Sequence, residues 1–185
     1  MGVEAIVLNG GSSSGKSSLA RRLQGLLGPT WLILGVDDLV RALPAGGQNG
    51  GEEQSIQFEA DGSITVGADF RRAEAAWYQG LAAIARYGTG LIVDEVFLGG
   101  RASQDRLAEA LSGLTVLWVG VRCDPEVAAA RESKRPDRIA GMARLQAEQV
   151  HEGVVYDVVV DTTHASTEEC AGILMAHARR SCGDT

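Results

Sequence analysis

Residues 10–17 read Gly10-Gly11-Ser12-Ser13-Ser14-Gly15-Lys16-Ser17. An apolar run, Ala5–Leu8, precedes them, and an amphipathic run, Lys16–Leu27, follows. The stretch satisfies G-x-x-x-x-G-K-[ST], with Gly10, Gly15, Lys16 and Ser17 in the required places. Each residue type answers a physical need. Glycines let the main chain turn so that its N–H groups point inward at phosphate oxygens. Lys16 brings a mobile positive charge to the outer phosphates, and the Ser17 hydroxyl can ligate Mg²⁺. The helix that begins here aims the positive end of its dipole at the same anion. One of only two lysines in the chain fills the slot. At this composition the pattern arises by accident with a probability on the order of 0.4%, so a plain Gly/Ser turn is the weaker reading. Gly10, Gly11, Ser12, Ser13, Ser14, Gly15, Lys16, Ser17 and Ser18 form the expected cradle for ATP.

Outward from this loop, short β-branched runs alternate with longer amphipathic segments. Strands are expected at Ala5–Leu8, Trp31–Val36, Gly90–Val96, Thr115–Arg122 and Val154–Asp161. Most are apolar without alternation, as strands buried on both faces are. Helices are expected at Lys16–Leu27, Asp69–Tyr87, Gln104–Leu111, Pro125–Ala130 and Gly141–Val150, with a last one opening on the Ser166-to-Glu169 capping box. This order predicts an α/β fold, a parallel sheet flanked by helices. Ala45–Glu53, rich in glycine and polar residues, reads as a loop. Ile56, Phe58 and Ala60 alternate up to Asp61-Gly62, and Ile64 and Val66 resume beyond, which predicts a hairpin. The insertion, about residues 45–67, is placed where it can cover the ligand crevice of such a sheet.

Carboxylates at strand ends are the next candidates. Leu91-Ile92-Val93-Asp94 is an apolar strand ending in an acid, and Asp94 is expected to hold Mg²⁺ together with Ser17. Glu95 reads either as a further site residue or as a plain strand-end acid. Asp37 follows the second strand on the ligand side of the sheet, where it can accept a proton from an attacking hydroxyl. Its neighbour Asp38 is the rival, or a helix cap. Arg131, Arg135 and Arg138, with Lys134, Pro136 and Asp137 among them, read as an arginine-bearing lid at about 131–140 or as a solvated basic face. Asp161-Thr162-Thr163 either borders the nucleotide base or leads into the last helix.

Composition bounds the rest. The 185 residues suit one domain, 1–185, and 45% apolar content supports a core. A net charge of −7 disfavours non-specific binding to nucleic acid or anionic membrane. No apolar run reaches the length of a membrane span, and no secretory signal is visible. Cys123, Cys170 and Cys182 are odd in number and far apart, so they read as reduced thiols in a cytoplasmic protein. His151, His164 and His177 are too scattered to read as zinc ligands. The guanine-specifying Asn-Lys-x-Asp motif and the protein-kinase motifs are absent.

Taken together, Leu8–Ser17, Gly35-Val36-Asp37, Asp94–Gly100, Leu117–Asp124, Arg131-Glu132, Asp137-Arg138 and Val160–His164 resemble the chloramphenicol phosphotransferase family over nearly the whole chain. The resemblance implies the P-loop kinase-like fold, a five-stranded sheet of strand order 2-3-1-4-5. It implies transfer of the ATP γ-phosphoryl group to the primary hydroxyl of chloramphenicol, which inactivates the antibiotic. It also implies Asp37 as base, with Arg131, Arg135 and Arg138 in the lid. Lys16 joins Asp37 and these arginines as catalytic candidates. The family carries an aspartate where Glu95 stands, and Ala45–Gln57 is unlike its antibiotic-binding region. Transfer machinery therefore carries over further than acceptor identity. The alternatives are a kinase for another hydroxylated small molecule, and a non-catalytic ATP-binding regulatory module. A homo-oligomer is compatible with either reading.

Overall fold

A computed structural model describes residues 2–44, 56–58, 64–134 and 141–180. Five strands form one parallel sheet: β1 (Ala5–Asn9), β2 (Trp31–Gly35), β5 (Gly90–Glu95), β6 (Val116–Arg122) and β7 (Val158–Asp161). Their spatial order is β2-β5-β1-β6-β7. Numbered by sheet strands alone this is 2-3-1-4-5, the order that the resemblance implies. The hairpin is present as β3 (Ile56–Phe58) and β4 (Ile64–Val66), antiparallel, with Ile56 opposite Val66. The Asp61-Gly62 turn and the Ala45–Glu53 loop lie outside the described residues.

Strand parity sorts the core into two layers, because successive side chains point to opposite faces. Ile6, Leu8, Ile92, Val119 and Val121 pack with Leu19 and Leu23 of α1 (Lys16–Leu27) and Leu174 of α7 (Thr167–Arg180). Ala5, Val7, Leu91 and Val93 pack on the other side with Leu81 of α3 (Ala68–Arg86) and Leu107 of α4 (Arg101–Ala110). Each such leucine buried contributes about 1.5–3 kcal/mol. A third, smaller cluster joins Leu39 of α2 (Val36–Ala42) to Ile56 of β3 and Phe70 of α3. It ties the hairpin to α2 and α3.

Among the boundaries that differ from the sequence reading, two bear on the site. The fifth sheet strand begins at Val158 rather than Val154. Tyr156, before it, turns its ring over Gly120, where a Cβ would come within 2.9 Å of that ring. Val36 leaves β2 and opens α2, so Asp37 stands in the first turn of a helix rather than in a loop. Gly35 is the pivot: a Cβ there would lie 2.1 Å from the Asp94 carbonyl oxygen. The backbones of β2 and β5 approach that closely only without a side chain.

Beyond β6 come α5 (Pro125–Glu132) and α6 (Met142–Gln149). The Glu132 carboxylate accepts the N–H groups of Gly141 (2.9 Å) and Ala143 (2.8 Å), capping α6 from the end of α5. This contact closes the two stems on which the expected lid stands. Among the described residues no helix is long and apolar enough to cross a membrane. Cys123 and Cys170 are free and buried, and no cluster of metal-binding side chains occurs among the described residues.

Candidate active site

One cavity of about 320 Å³ opens at the C-terminal ends of β1, β2 and β5. Ser12 to Ser18 line one side of it. Gly15 adopts a left-handed conformation (φ 93°), which lets the chain enter α1 without steric cost. No side chain caps that helix, so its first N–H groups face the cavity as an anion site. The hydroxyls of Ser12, Ser13 and Ser14 are buried without a hydrogen-bond partner among the described residues. Such orphaned donors fit a phosphate group.

Lys16 is buried. Its Nζ donates to the carbonyls of Gly10 (2.7 Å) and Gly11 (3.1 Å) and lies 3.8 Å from Asp94 Oδ1. Ser17 Oγ donates to Asp94 Oδ2 at 2.8 Å. The two expected metal ligands are therefore already in contact, and their all-oxygen chemistry suits Mg²⁺. Gly10 and Gly11 do not line the cavity. A Cβ on Gly10 would meet Val121 O at 2.4 Å, and one on Gly11 would meet the Gln146 backbone at 3.1 Å. Close packing demands glycine at residue 10 and crowds a side chain at residue 11, and both carbonyls serve Lys16.

Asp37 also lines the cavity, across from the loop, whereas Asp38 does not. Asp38 accepts the Gly35 N–H (2.9 Å) and pairs with Arg41. Helix geometry thus separates the two rivals: Asp38 caps α2 and Asp37 faces the crevice. Beyond Asp37, the wall is apolar, built by Val36, Val40, Ile56, Ile64, Val66 and Phe70.

The inner end of the cavity is polar, and it joins Glu95, a candidate from the sequence, to Glu74 and Tyr78, which the sequence reading does not single out. Glu74 of α3 is buried between Arg71 and Arg106, which approach its carboxylate to 2.9 Å and 3.0 Å. Glu95 is 1% exposed, and its Oε1 has no partner among the described residues. Burial, reinforced by Glu74 and Asp94, pushes its carboxyl up to about 8. Burial, then the carboxyls of Glu95 and Glu74, hold the Tyr78 phenol well above its ordinary range, so it remains an O–H donor.

Arg131 takes a different place from the one expected. Its guanidinium donates to Thr162 O (2.7 Å) and approaches Cys123 Sγ (3.3 Å), behind the loop rather than over the cavity. Thr162 Oγ1 in turn donates to Ser14 O at 2.6 Å. Thr162 therefore supports the loop from below, and Thr163 accepts the Asp124 N–H at the start of α5. Arg135 and Arg138 lie outside the described residues. Gln146 of α6, unremarked in the sequence, accepts the Ser12 N–H at 2.8 Å.

A second network braces the loop from β1. Asn9 Nδ2 donates to Val150 O (2.7 Å) and Tyr156 Oη (2.6 Å), and Asn9 Oδ1 accepts the Phe97 N–H (2.9 Å). Tyr156 Oη is 2.6 Å from His151 Nδ1. His151 Nε2 is buried without a hydrogen-bond partner among the described residues. Burial, then the charges of Arg122 and Lys16, lower the His151 pKa to about 4.

The sheet order and the loop at the end of β1 define a P-loop kinase fold. A sugar kinase from Janibacter sp. shares it with a TM-score of 0.67 and 19% identity, over 94% of this chain and 93% of that one. Shikimate kinase from Acinetobacter baumannii shares it with a TM-score of 0.63 and 16% identity, over 99% and 96%. At these identities the likeness is one of fold. A family model described as chloramphenicol phosphotransferase-like protein matches residues 3–179. A Mycobacterium tuberculosis protein provisionally named an O-phosphotransferase is 32% identical over 179 residues, spanning 90% of this chain and 78% of its own length. The chain belongs to the chloramphenicol phosphotransferase-like family, a group of kinase-like phosphotransferases.

Proposed function

We propose that the protein transfers the γ-phosphoryl group of ATP to a hydroxyl of a small molecule, with the primary hydroxyl of chloramphenicol as the acceptor. The observation that carries the transfer reading is the Ser17–Asp94 contact beside Lys16, facing the same cavity as Asp37. Family membership favours chloramphenicol in particular.

In this reading the loop N–H groups and Lys16 hold the outer phosphates. Ser17 and Asp94 would hold Mg²⁺, which supplies charge neutralisation on those phosphates when bound. Asp37 orients the acceptor hydroxyl and takes its proton late, as the new O–P bond forms. The apolar wall excludes water, so that the acceptor rather than water is phosphorylated. Arg135 and Arg138 remain the lid residues of the proposal, and Arg131 acts as a positioning residue through Thr162 and Ser14.

The test is mass spectrometry of chloramphenicol after incubation with the protein, ATP and Mg²⁺. One added phosphate is the expected result. Unchanged chloramphenicol beside a phosphorylated alcohol from a panel would reassign the acceptor. Nucleotide binding with no alcohol-stimulated ADP release would favour a regulatory module and overturn the transfer reading.

A further inference from the structure

β5 ends in two adjacent acids, and strand parity sends them to opposite faces of the sheet. Asp94 falls on the α1 face, where Ser17 and Lys16 meet it. Glu95 falls with Leu91 and Val93 on the face covered by α3 and α4. It lines the inner end of the cavity, nearly fully buried, with Oε1 unpartnered among the described residues. A buried oxygen without a partner is destabilising, and sites that keep one use it for a ligand or for water.

The neighbours limit what that ligand group can be. Glu74 offers no competing donor, and both its oxygens are engaged by Arg71 and Arg106. A donor on the acceptor therefore finds Glu95 Oε1, and not the engaged Glu74, as the open carboxyl oxygen at this end of the cavity. Tyr78 adds a hydroxyl to the same end of the cavity.

We infer that Glu95, flanked by Tyr78, forms an acceptor subsite on the α3 face that accepts a hydrogen bond from an amide N–H or second hydroxyl of the acceptor. This group is distinct from the hydroxyl that is phosphorylated. The subsite selects alcohols that carry such a second donor. The inference rests on the phosphotransferase reading for the identity of its ligand as acceptor, and its test is direct binding, independent of turnover.

Three aromatic diols of one skeleton serve as probes: one with a secondary amide, one with that amide N-methylated, and one with an ester instead. Each is titrated calorimetrically into the full chain saturated with magnesium and a non-hydrolysable ATP analogue. The secondary amide is expected to bind about tenfold tighter than either other probe. Glu95→Leu is expected to erase that preference while leaving affinity for the ATP analogue within about twofold. Glu95→Gln, which retains a carbonyl oxygen, is expected to restore most of it. Equal binding of the two amides by the wild type, a preference that survives Glu95→Leu, or no binding by any probe overturns the subsite. Transfer to the diols is measured separately. Its absence beside an intact binding preference would sink the transfer reading and leave the donor-binding site standing.

Discussion

Around Lys16 and Ser17, the polar groups of the cavity come mostly from the consecutive residues Ser12–Ser18, and their partners are main-chain atoms and one acid. Around Phe70, Glu74 and Glu95, the lining comes from α2, the hairpin, α3 and β5, segments up to several dozen residues apart. The first half is local and dominated by backbone. The second is a tertiary construction of apolar side chains with an inner polar end. A backbone cradle suits phosphate, which is the same in every nucleotide, and it tolerates little change. A side-chain wall can be rebuilt residue by residue, so acceptor choice can vary between relatives that share the loop.

That contrast breaks first if Asp37, the acid between the halves, can be dispensed with. Asp37→Asn is expected to lower kcat by 10²–10⁴-fold, a range typical of general-base loss, with ATP affinity nearly unchanged. Steady-state kinetics beside nucleotide titration checks it, and wild-type kcat would remove Asp37 from the base role. Next in size is Lys16→Ala, expected to cost roughly 10²–10³-fold in kcat and to weaken ATP binding as well. Loss of turnover with unchanged ATP affinity would count against the phosphate-cradle assignment. On the other side, Phe70→Ala is expected to destabilise the chain by about 3 kcal/mol in denaturant unfolding. It should also raise the acceptor KM without altering the KM for ATP. An equal rise in both would show that the halves are not separable.

The effect furthest from turnover concerns the brace behind the loop. His151 is held neutral, with its pKa lowered from 6.5 to about 4. The unfolded chain therefore binds a proton there that the folded chain refuses. Stability is fully present above pH 6.5 and is lost as pH falls toward 4, at up to about 1.4 kcal/mol per pH unit. His151→Gln should flatten that part of the stability–pH curve. An unchanged slope would assign the acid sensitivity to other groups.

Some of this was readable from residue order. The loop is a spacing motif, and Asp37 and Asp94 stand at the ends of apolar runs, where a parallel sheet presents its ligand side. The choice between Asp37 and Asp38 was not readable, because both acids share the first turn of α2 and only the orientation of that turn separates them. Glu74 did leave a signal: four residues after Phe70 and seven before Leu81, it is an acid on the apolar stripe of α3. Only the fold shows that Arg71 and Arg106 make its burial tolerable. Arg131 shows the opposite error: a basic residue near a phosphate site suggested direct contact, yet its guanidinium props Thr162 under the loop.

The linear chain by itself determined the phosphate loop, the alternation of strands and helices and the acids at the strand ends. These depend on local spacing and on side-chain period, which the chain carries without folding. Tertiary structure decided which face each acid serves, where Arg131 docks, and how Glu74, Tyr78 and Glu95 meet at one end of a cavity. Those outcomes depend on strand register and helix packing, contacts between residues far apart in sequence, and on the burial that changes what a carboxyl group can do.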